Sequence, residues 1–482
     1  MKINKEILIL LLIFLLGAFL RTYRMEELAV FLADQASDST KVYNITHGDF
    51  TLLGPITSVG GFYNGPIVYY LMAPFFFLMK NQPLSGTVFQ TVFSLATIPL
   101  IFLIGKKIKN NTVGIIAAFL FAISPLMVEY SRAAFNSYPA VFFSTLILYL
   151  FVTINERFRM ARYASLGLSI GWIVQMHYFA AVFIVVAALF PWFSQHKIPK
   201  IRYYCLLLTG FLVGISPFLL FEVRHDFLNI QLMLRYFSSS PVQDKSLLHG
   251  LIIWPKIIGH LVFGNNIVLG SLGAILIPLY LVTILKKDSV LRTNLIPLGL
   301  LSIFVFFVGI VYGRYMQLHY VISFHTAFLI VFALSLYYLF KGNTILLTGL
   351  CVCLILLNIH AWNFQLDKHY DQDGLNIKDF QLAAAIISED NPTKSYNVAM
   401  HAQGDNRAMP LRYTLLLDDM HPEPYENYSN IDVLYFISRK DDPVEKQVMW
   451  EYTAFGPSEV KKRWEVNSQY MLYRLEKNPR EL

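Results

Sequence analysis

The residues best suited to chemistry lie between Phe31 and Pro66, in FLADQASDSTKVYNITHGDFTLLGPITSVGGFYNGP. This stretch sits between two apolar segments and carries Asp34, Asp38 and Asp49 with almost no basic residues. Asp34 and Asp38 are four apart, so a helix there puts both carboxylates on one face. The apolar flank Phe31-Leu32-Ala33 places Asp34 near the protein body, where desolvation raises a carboxylate pKa toward that of a working general base. The bland alternative is a pair of solvated loop aspartates. Against it stands the downstream text, HGDFTLLGPITSVGGFYNGP, whose five glycines, two prolines and interleaved aromatics read as a shaped loop rather than a spacer.

Two further clusters carry polar groups. Glu129-Tyr130-Ser131-Arg132-Ala133-Ala134-Phe135-Asn136 presents an arginine at a membrane boundary, where a guanidinium fork can hold two phosphate oxygens. Its alternative is a snorkelling arginine at a helix end. Tyr312 to Tyr320, YGRYMQLHY, offers Arg314, His319 and Tyr320 to the same cavity as Asp34, or else ordinary interfacial anchors. Arg224, Arg235 and Lys256 are further phosphate contacts to consider. His177 sits at a break between two apolar runs and reads as packing. Nucleotide-binding glycine fingerprints, HExxH and the nucleophile elbow are missing from the sequence.

The elements that position these residues are apolar. Of 482 residues 55% are hydrophobic and 15% charged, with a mean hydropathy of +0.49. Soluble domains carry about 25% charged residues, so this is a polytopic α-helical membrane protein. The net charge of +7 comes from short basic clusters between apolar runs, which follows the positive-inside rule and not a nucleic-acid surface. Cys205, Cys351 and Cys353 all fall in apolar runs, which predicts neither a disulfide framework nor a metal cluster.

With a cytoplasmic N-terminus, eleven spans fit, near 7–20, 86–105, 112–128, 138–155, 163–177, 179–193, 203–221, 267–285, 295–312, 321–340 and 344–359. Pro66–Met79 is too short to span and is placed as an interfacial helix. External loops then cover 21–85, with the acidic site, and 222–266, whose apolar content argues for interfacial helices. Residues 1–360 form the membrane domain. Residues 361–482 change composition and alternate helix with strand, which predicts a small external α/β domain.

The order of these parts, with YNGPIVYYLMAP after the acidic loop, resembles the GT-C fold integral-membrane glycosyltransferases, the group that includes protein O-mannosyltransferases and the aminoarabinose transferase of lipid A. The resemblance covers the first 140 residues well and the rest by architecture only. It implies that Asp34 is the catalytic carboxylate. The family's second acidic residue is replaced by Gln35, which puts a two-carboxylate site and any metal held by it in doubt, unless Asp38 compensates. A Ser-Arg pair like Ser131-Arg132 is also common in the family.

The implied reaction is transfer of a sugar from a polyprenyl-phosphate donor to a glycan, lipid or protein acceptor on the external face, with inversion. Asp34 acts as base with Asp38 beside it. Arg132, Arg314 and Arg235 meet the donor phosphate, and Gln35, Tyr63, Asn136, His319 and Tyr320 line the substrate pocket. No cofactor is required by the sequence; a divalent cation on Asp34 and Asp38 is the one candidate. Nucleic acid is excluded as a partner, and membrane lipid is expected. The rival readings are a transporter or lipid flippase, which calls for paired charges in mid-membrane, and an inactive GT-C-like scaffold whose external domain binds a partner.

Overall fold

The computed structural model describes residues 5–57, 60–193, 199–239, 247–287, 291, 295–302, 304, 317–362, 374–442 and 444–478. Sixteen helices of the membrane part are described: α1 (Lys5–Thr22), α2 (Met25–Leu28), α3 (Ala33–Thr46), α4 (Ile67–Leu78), α5 (Ser85–Ile108), α6 (Asn111–Ile123), α7 (Pro125–Ser131), α8 (Ala140–Thr153), α9 (Arg159–Met176), α10 (Val182–Phe193), α11 (Ile201–Arg224), α12 (Leu228–Ser239), α13 (Leu247–Val262), α14 (Ile267–Lys287), α15 (Ile322–Leu339) and α16 (Thr344–Asn358). The C-terminal part adds α17 (Ile377–Asp390), β1 (Tyr396–Met400), α18 (Met409–Leu417), β2 (Val433–Arg439), α19 (Trp450–Phe455), β3 (Ser458–Glu465) and β4 (Tyr470–Lys477).

This is an integral membrane protein, and many of its helices are short. Four segments among the described residues are long and apolar enough to cross a bilayer: Ser85–Ile108, Ile201–Arg224, Ile267–Lys286 and Leu318–Leu339. A fifth is the pair α6 and α7, bent by 59° where Ser124 and Pro125 interrupt the helix. The count of eleven is therefore not reached by length and composition. Part of the shortfall is physical: Ala140–Thr153 and Thr344–Asn358 are apolar but shorter than the roughly 20 residues an upright span needs, and much of the expected span 295–312 lies outside the described residues. The predicted break in 163–193 is present, with α9 ending at Met176, His177 as its cap, and a 3₁₀ turn over Tyr178–Ala181 leading into α10.

Close packing explains how polar groups sit inside this bundle. Helices α9 and α11 meet on two small-residue stripes, Gly167 with Gly171 and Gly210 with Gly214; a Cβ on Gly167 would lie 1.9 Å from the Leu207 carbonyl oxygen. Arg21 is fully buried and donates to Ser94 Oγ at 2.9 Å, to the Gly17 carbonyl at 3.0 Å and to the Ala122 carbonyl at 2.9 Å. These bonds tie α1 to α5 and α6 and satisfy a charge that would otherwise be costly there.

The C-terminal part is a four-stranded sheet in the order β1-β2-β4-β3, with β1 and β2 parallel and the other pairings antiparallel. In the sequence, NIKDFQLAAAIISED and RAMPLRYTLLL read as helices and SYNVAMH, IDVLYFIS and SQYMLYRLEK as strands; these are α17, α18, β1, β2 and β4, while α19 and β3 carry no such signal. Strand β3, SEVKKRWE, is a charged edge strand with only one neighbour, and lysines on an edge are how sheets avoid further pairing. The unit docks on the acidic helix and its approach: Lys378 bridges Glu26 at 3.1 Å and Glu27 at 3.2 Å, the Tyr413 ring packs 5.8 Å from Phe31, and the Tyr413 hydroxyl donates to the Asn81 carbonyl at 2.5 Å.

Candidate active site

Helix α3 begins where the apolar run Phe31-Leu32 ends. Its start is closed by Gln35, whose Oε1 accepts the Leu32 amide at 3.0 Å, the back-reaching half of a capping box. That bond turns Gln35 into the protein, where it is buried. The remaining polar face then follows helical spacing: Asp34, Ser37, Asp38 and Lys41 all line one cavity of about 580 Å³. Its other walls come from the shaped loop (Gly54 to Thr57 and Phe62 to Asn64), from Tyr69, from Phe135 and Asn136, from the α9–α10 break (His177, Tyr178, Phe179), from Tyr236 on α12, from His319 and Tyr320, and from Tyr425 of the C-terminal unit.

The loop holds its shape by backbone pairing. The Gly54 amide donates to the Asn64 carbonyl and the Asn64 amide to the Pro55 carbonyl, both at 2.9 Å, and the Thr57 amide donates to the Phe62 carbonyl at 2.8 Å. A side chain at position 54 has no room, since a Cβ there would lie 2.2 Å from the Gly65 carbonyl oxygen. The Tyr63 amide donates to Asn229 Oδ1 at 2.9 Å, and its carbonyl accepts the Tyr178 hydroxyl. Asn136 donates to the Met176 carbonyl at 3.3 Å. The His177 and His319 rings stand 6.0 Å apart, each close to Tyr320.

The two carboxylates sit in different environments. Asp34 opens onto the cavity, and partial desolvation by the surrounding walls raises its pKa. Asp38 is only 7% exposed and accepts the Tyr69 hydroxyl at 2.7 Å. Burial pushes it up to about 7; the Tyr69 hydrogen bond opposes the rise and the Asp34 charge adds to it. In a carboxylate pair of this kind the more buried member is still partly protonated at neutrality.

The raised Asp38 pKa has a stability consequence. The folded chain holds the Asp38 proton to higher pH than the unfolded chain, so this contribution is complete below about pH 4, the usual carboxylate range, and is lost as pH rises toward about 7. Asp38→Asn keeps the acceptor for Tyr69 and removes the charge. The variant melts higher than wild type at pH 8, by roughly 5 °C, and the gap closes by pH 4. A gap independent of pH in thermal unfolding of the full chain contradicts the assignment.

The sequence expectations divide cleanly. Asp34, Asp38, Tyr63, Asn136, His319 and Tyr320 come together in the cavity. Gln35 does not, because it caps α3. Arg132 does not line it either: the side chain is fully buried and donates to the Leu20 carbonyl at 2.8 Å and the Trp362 carbonyl at 3.1 Å, where it joins α1 and α7 to the segment after α16. Arg235 is exposed on α12 outside the lining, although its neighbour Tyr236 is part of it. Arg314 lies outside the described residues. Lys41, unremarked in the sequence, is the one lysine or arginine in the described lining, and His177 is a wall residue as well. Lys41 had a legible signal, since it continues the Asp34–Asp38 face at the next helical step. No group of three or more His, Cys, Asp or Glu able to hold a metal occurs among the described residues. Of the two candidate cation ligands, Asp38 is buried against Tyr69, and Lys41 lies on the same face as Asp34.

Comparison with solved structures settles the architecture. The structure of ArnT from Cupriavidus metallidurans bound to undecaprenyl phosphate superposes with a TM-score of 0.65 over 97% of both chains at 10% identity. The Archaeoglobus fulgidus oligosaccharyltransferase in complex with zinc and sulfate matches with a TM-score of 0.55 over 89% of this chain and 67% of that one at 14% identity. The chain has the GT-C glycosyltransferase fold. By sequence, residues 63–221 of this GT-C chain match the family described as dolichyl-phosphate-mannose-protein mannosyltransferase. The same archaeal protein, AglB, has been solved with an inhibitory peptide and a dolichol-phosphate; it matches with a TM-score of 0.50 over 87% of this chain and 60% of that one at 13% identity. Among curated proteins compared by sequence, none matches.

Proposed function

We propose that this protein transfers a sugar from a polyprenyl-phosphate donor to an acceptor hydroxyl at the external face of the membrane. The observation that carries the reading is the single face of α3, which presents an open carboxylate and an ammonium group to one cavity. The likeness to ArnT with undecaprenyl phosphate and to AglB with a dolichol-phosphate supports a lipid-linked donor.

Asp34 takes the proton of the acceptor hydroxyl. The freed oxygen bonds to the anomeric carbon as the bond from that carbon to the phosphate oxygen breaks. Polyprenyl phosphate leaves, and Lys41 balances the charge that builds on it. Asp38, partly protonated at neutrality, fixes the face of α3 beneath Asp34 together with Tyr69.

Direct displacement inverts the anomeric centre. Proton NMR of the product formed from a donor of known configuration reports this. Inversion is the expected result; retention requires a covalent sugar intermediate and removes Asp34 from the role of base.

A further inference from the structure

The C-terminal unit contributes a wall to the cavity. Tyr425 lines it, almost 400 positions after Asp34 in the chain. Its ring is backed by Arg407, whose guanidinium carbon lies 4.5 Å from the ring centroid. The turn that carries it is fixed to the sheet: the Glu423 amide donates to the Tyr396 carbonyl at 2.9 Å, and buried Asn397 donates to the Pro424 and Asn427 carbonyls at 3.0 and 2.9 Å. Arg412 adds a bond to the Glu423 carbonyl at 2.8 Å. A half-buried tyrosine on an anchored turn is a preorganised contact, which lowers the cost of binding.

The rest of the wall says what it contacts. Phe62, Phe135, Tyr178, Phe179 and Tyr320 also line the cavity, so aromatic side chains make up much of its wall. An extended peptide binds chiefly by pairing its backbone with a free edge. The nearest irregular loop offers little such edge, because Gly54, Thr57 and Asn64 spend their amides within the loop itself. Flat aromatic faces flanked by hydroxyl and amide groups suit a pyranose ring, which presents an apolar C–H face and a polar rim.

We infer that Tyr425 is a specificity-determining residue that stacks on the sugar ring of a glycan acceptor, so that the C-terminal unit selects the acceptor for the transfer centred on Asp34. The inference deepens the transferase reading and rests on it for the role of the bound glycan, but its test needs no turnover. The full chain in lipid nanodiscs is titrated, without donor, with maltose, cellobiose and a serine- and threonine-containing pentapeptide, followed by saturation-transfer-difference NMR. Wild type binds at least one disaccharide in preference to the peptide. Tyr425→Ala weakens that binding by about tenfold, while Tyr425→Phe stays within about twofold because the ring, not the hydroxyl, makes the stack. Affinity for undecaprenyl phosphate is the same in all three proteins. The inference is overturned by unchanged disaccharide binding in Tyr425→Ala, by peptide preference, by no disaccharide binding in wild type, or by a parallel loss of undecaprenyl phosphate, which would place Tyr425 on the donor side. Failure of transfer with these binding results intact counts against the catalytic reading alone.

Discussion

Replacing Asp34 by asparagine lowers kcat by about 10³-fold, the range a positioned general base supplies, and leaves binding of undecaprenyl phosphate unchanged. Asparagine keeps the shape of the side chain and can still meet the acceptor hydroxyl, but it cannot take the proton. Asp34 is open to the cavity and its charge only adds to the raised pKa of Asp38, so the substitution leaves the fold in place. Steady-state kinetics beside a lipid-binding assay separate the two effects. A loss of lipid binding equal to the loss of rate would make Asp34 a binding residue. A silent substitution would favour a structural loop, the outcome expected of an inactive scaffold.

Lys41→Met produces the second large effect. Lys41 is the one lysine or arginine that lines the described cavity, one helical turn beyond Asp38. Removing a group that meets developing negative charge costs about 10²-fold in kcat. In the proposed reaction the same ammonium meets the phosphate of the donor lipid, so affinity for undecaprenyl phosphate is also expected to fall, by about tenfold, as for a lost hydrogen bond to a charged group. Lys41→Arg restores much of the binding, since a guanidinium also donates to phosphate. Retained lipid affinity in Lys41→Met would assign the phosphate to another cation, with the segment holding Arg314 the next place to look.

How much of this was written plainly in the chain depends on the residue. Asp34 and Asp38 were legible because their spacing is helical and the apolar flank Phe31-Leu32 is local. Tyr63 stood out as part of a glycine-rich loop. Arg132 misled because a boundary arginine beside a serine fits a phosphate site equally well; only the fold shows that its guanidinium is spent on the Leu20 and Trp362 carbonyls. Gln35 was assigned to the pocket because it stands where the resemblance puts a second acidic residue, although adjacent residues on a helix point about 100° apart. Lys41 drew no notice in the sequence, although it continues the Asp34–Asp38 face. Tyr425 could not be found from spacing, because only the docking of α17 and α18 against α2 and α3 brings it to the cavity. Among the C-terminal elements, the strands with alternating or continuous apolar residues were readable, and the charged edge strand β3 was not.

The most direct measurement of the central claim is product release by the purified wild-type chain in lipid vesicles. The vesicles hold a panel of radiolabelled polyprenyl-phosphate sugars together with cell-envelope acceptors. The account predicts that one donor is consumed, free polyprenyl phosphate appears, and the label moves in equal amount to an acceptor. Donor molecules crossing the bilayer intact, with no free polyprenyl phosphate formed from any of them, would contradict it and make the protein a lipid transporter built on a transferase fold.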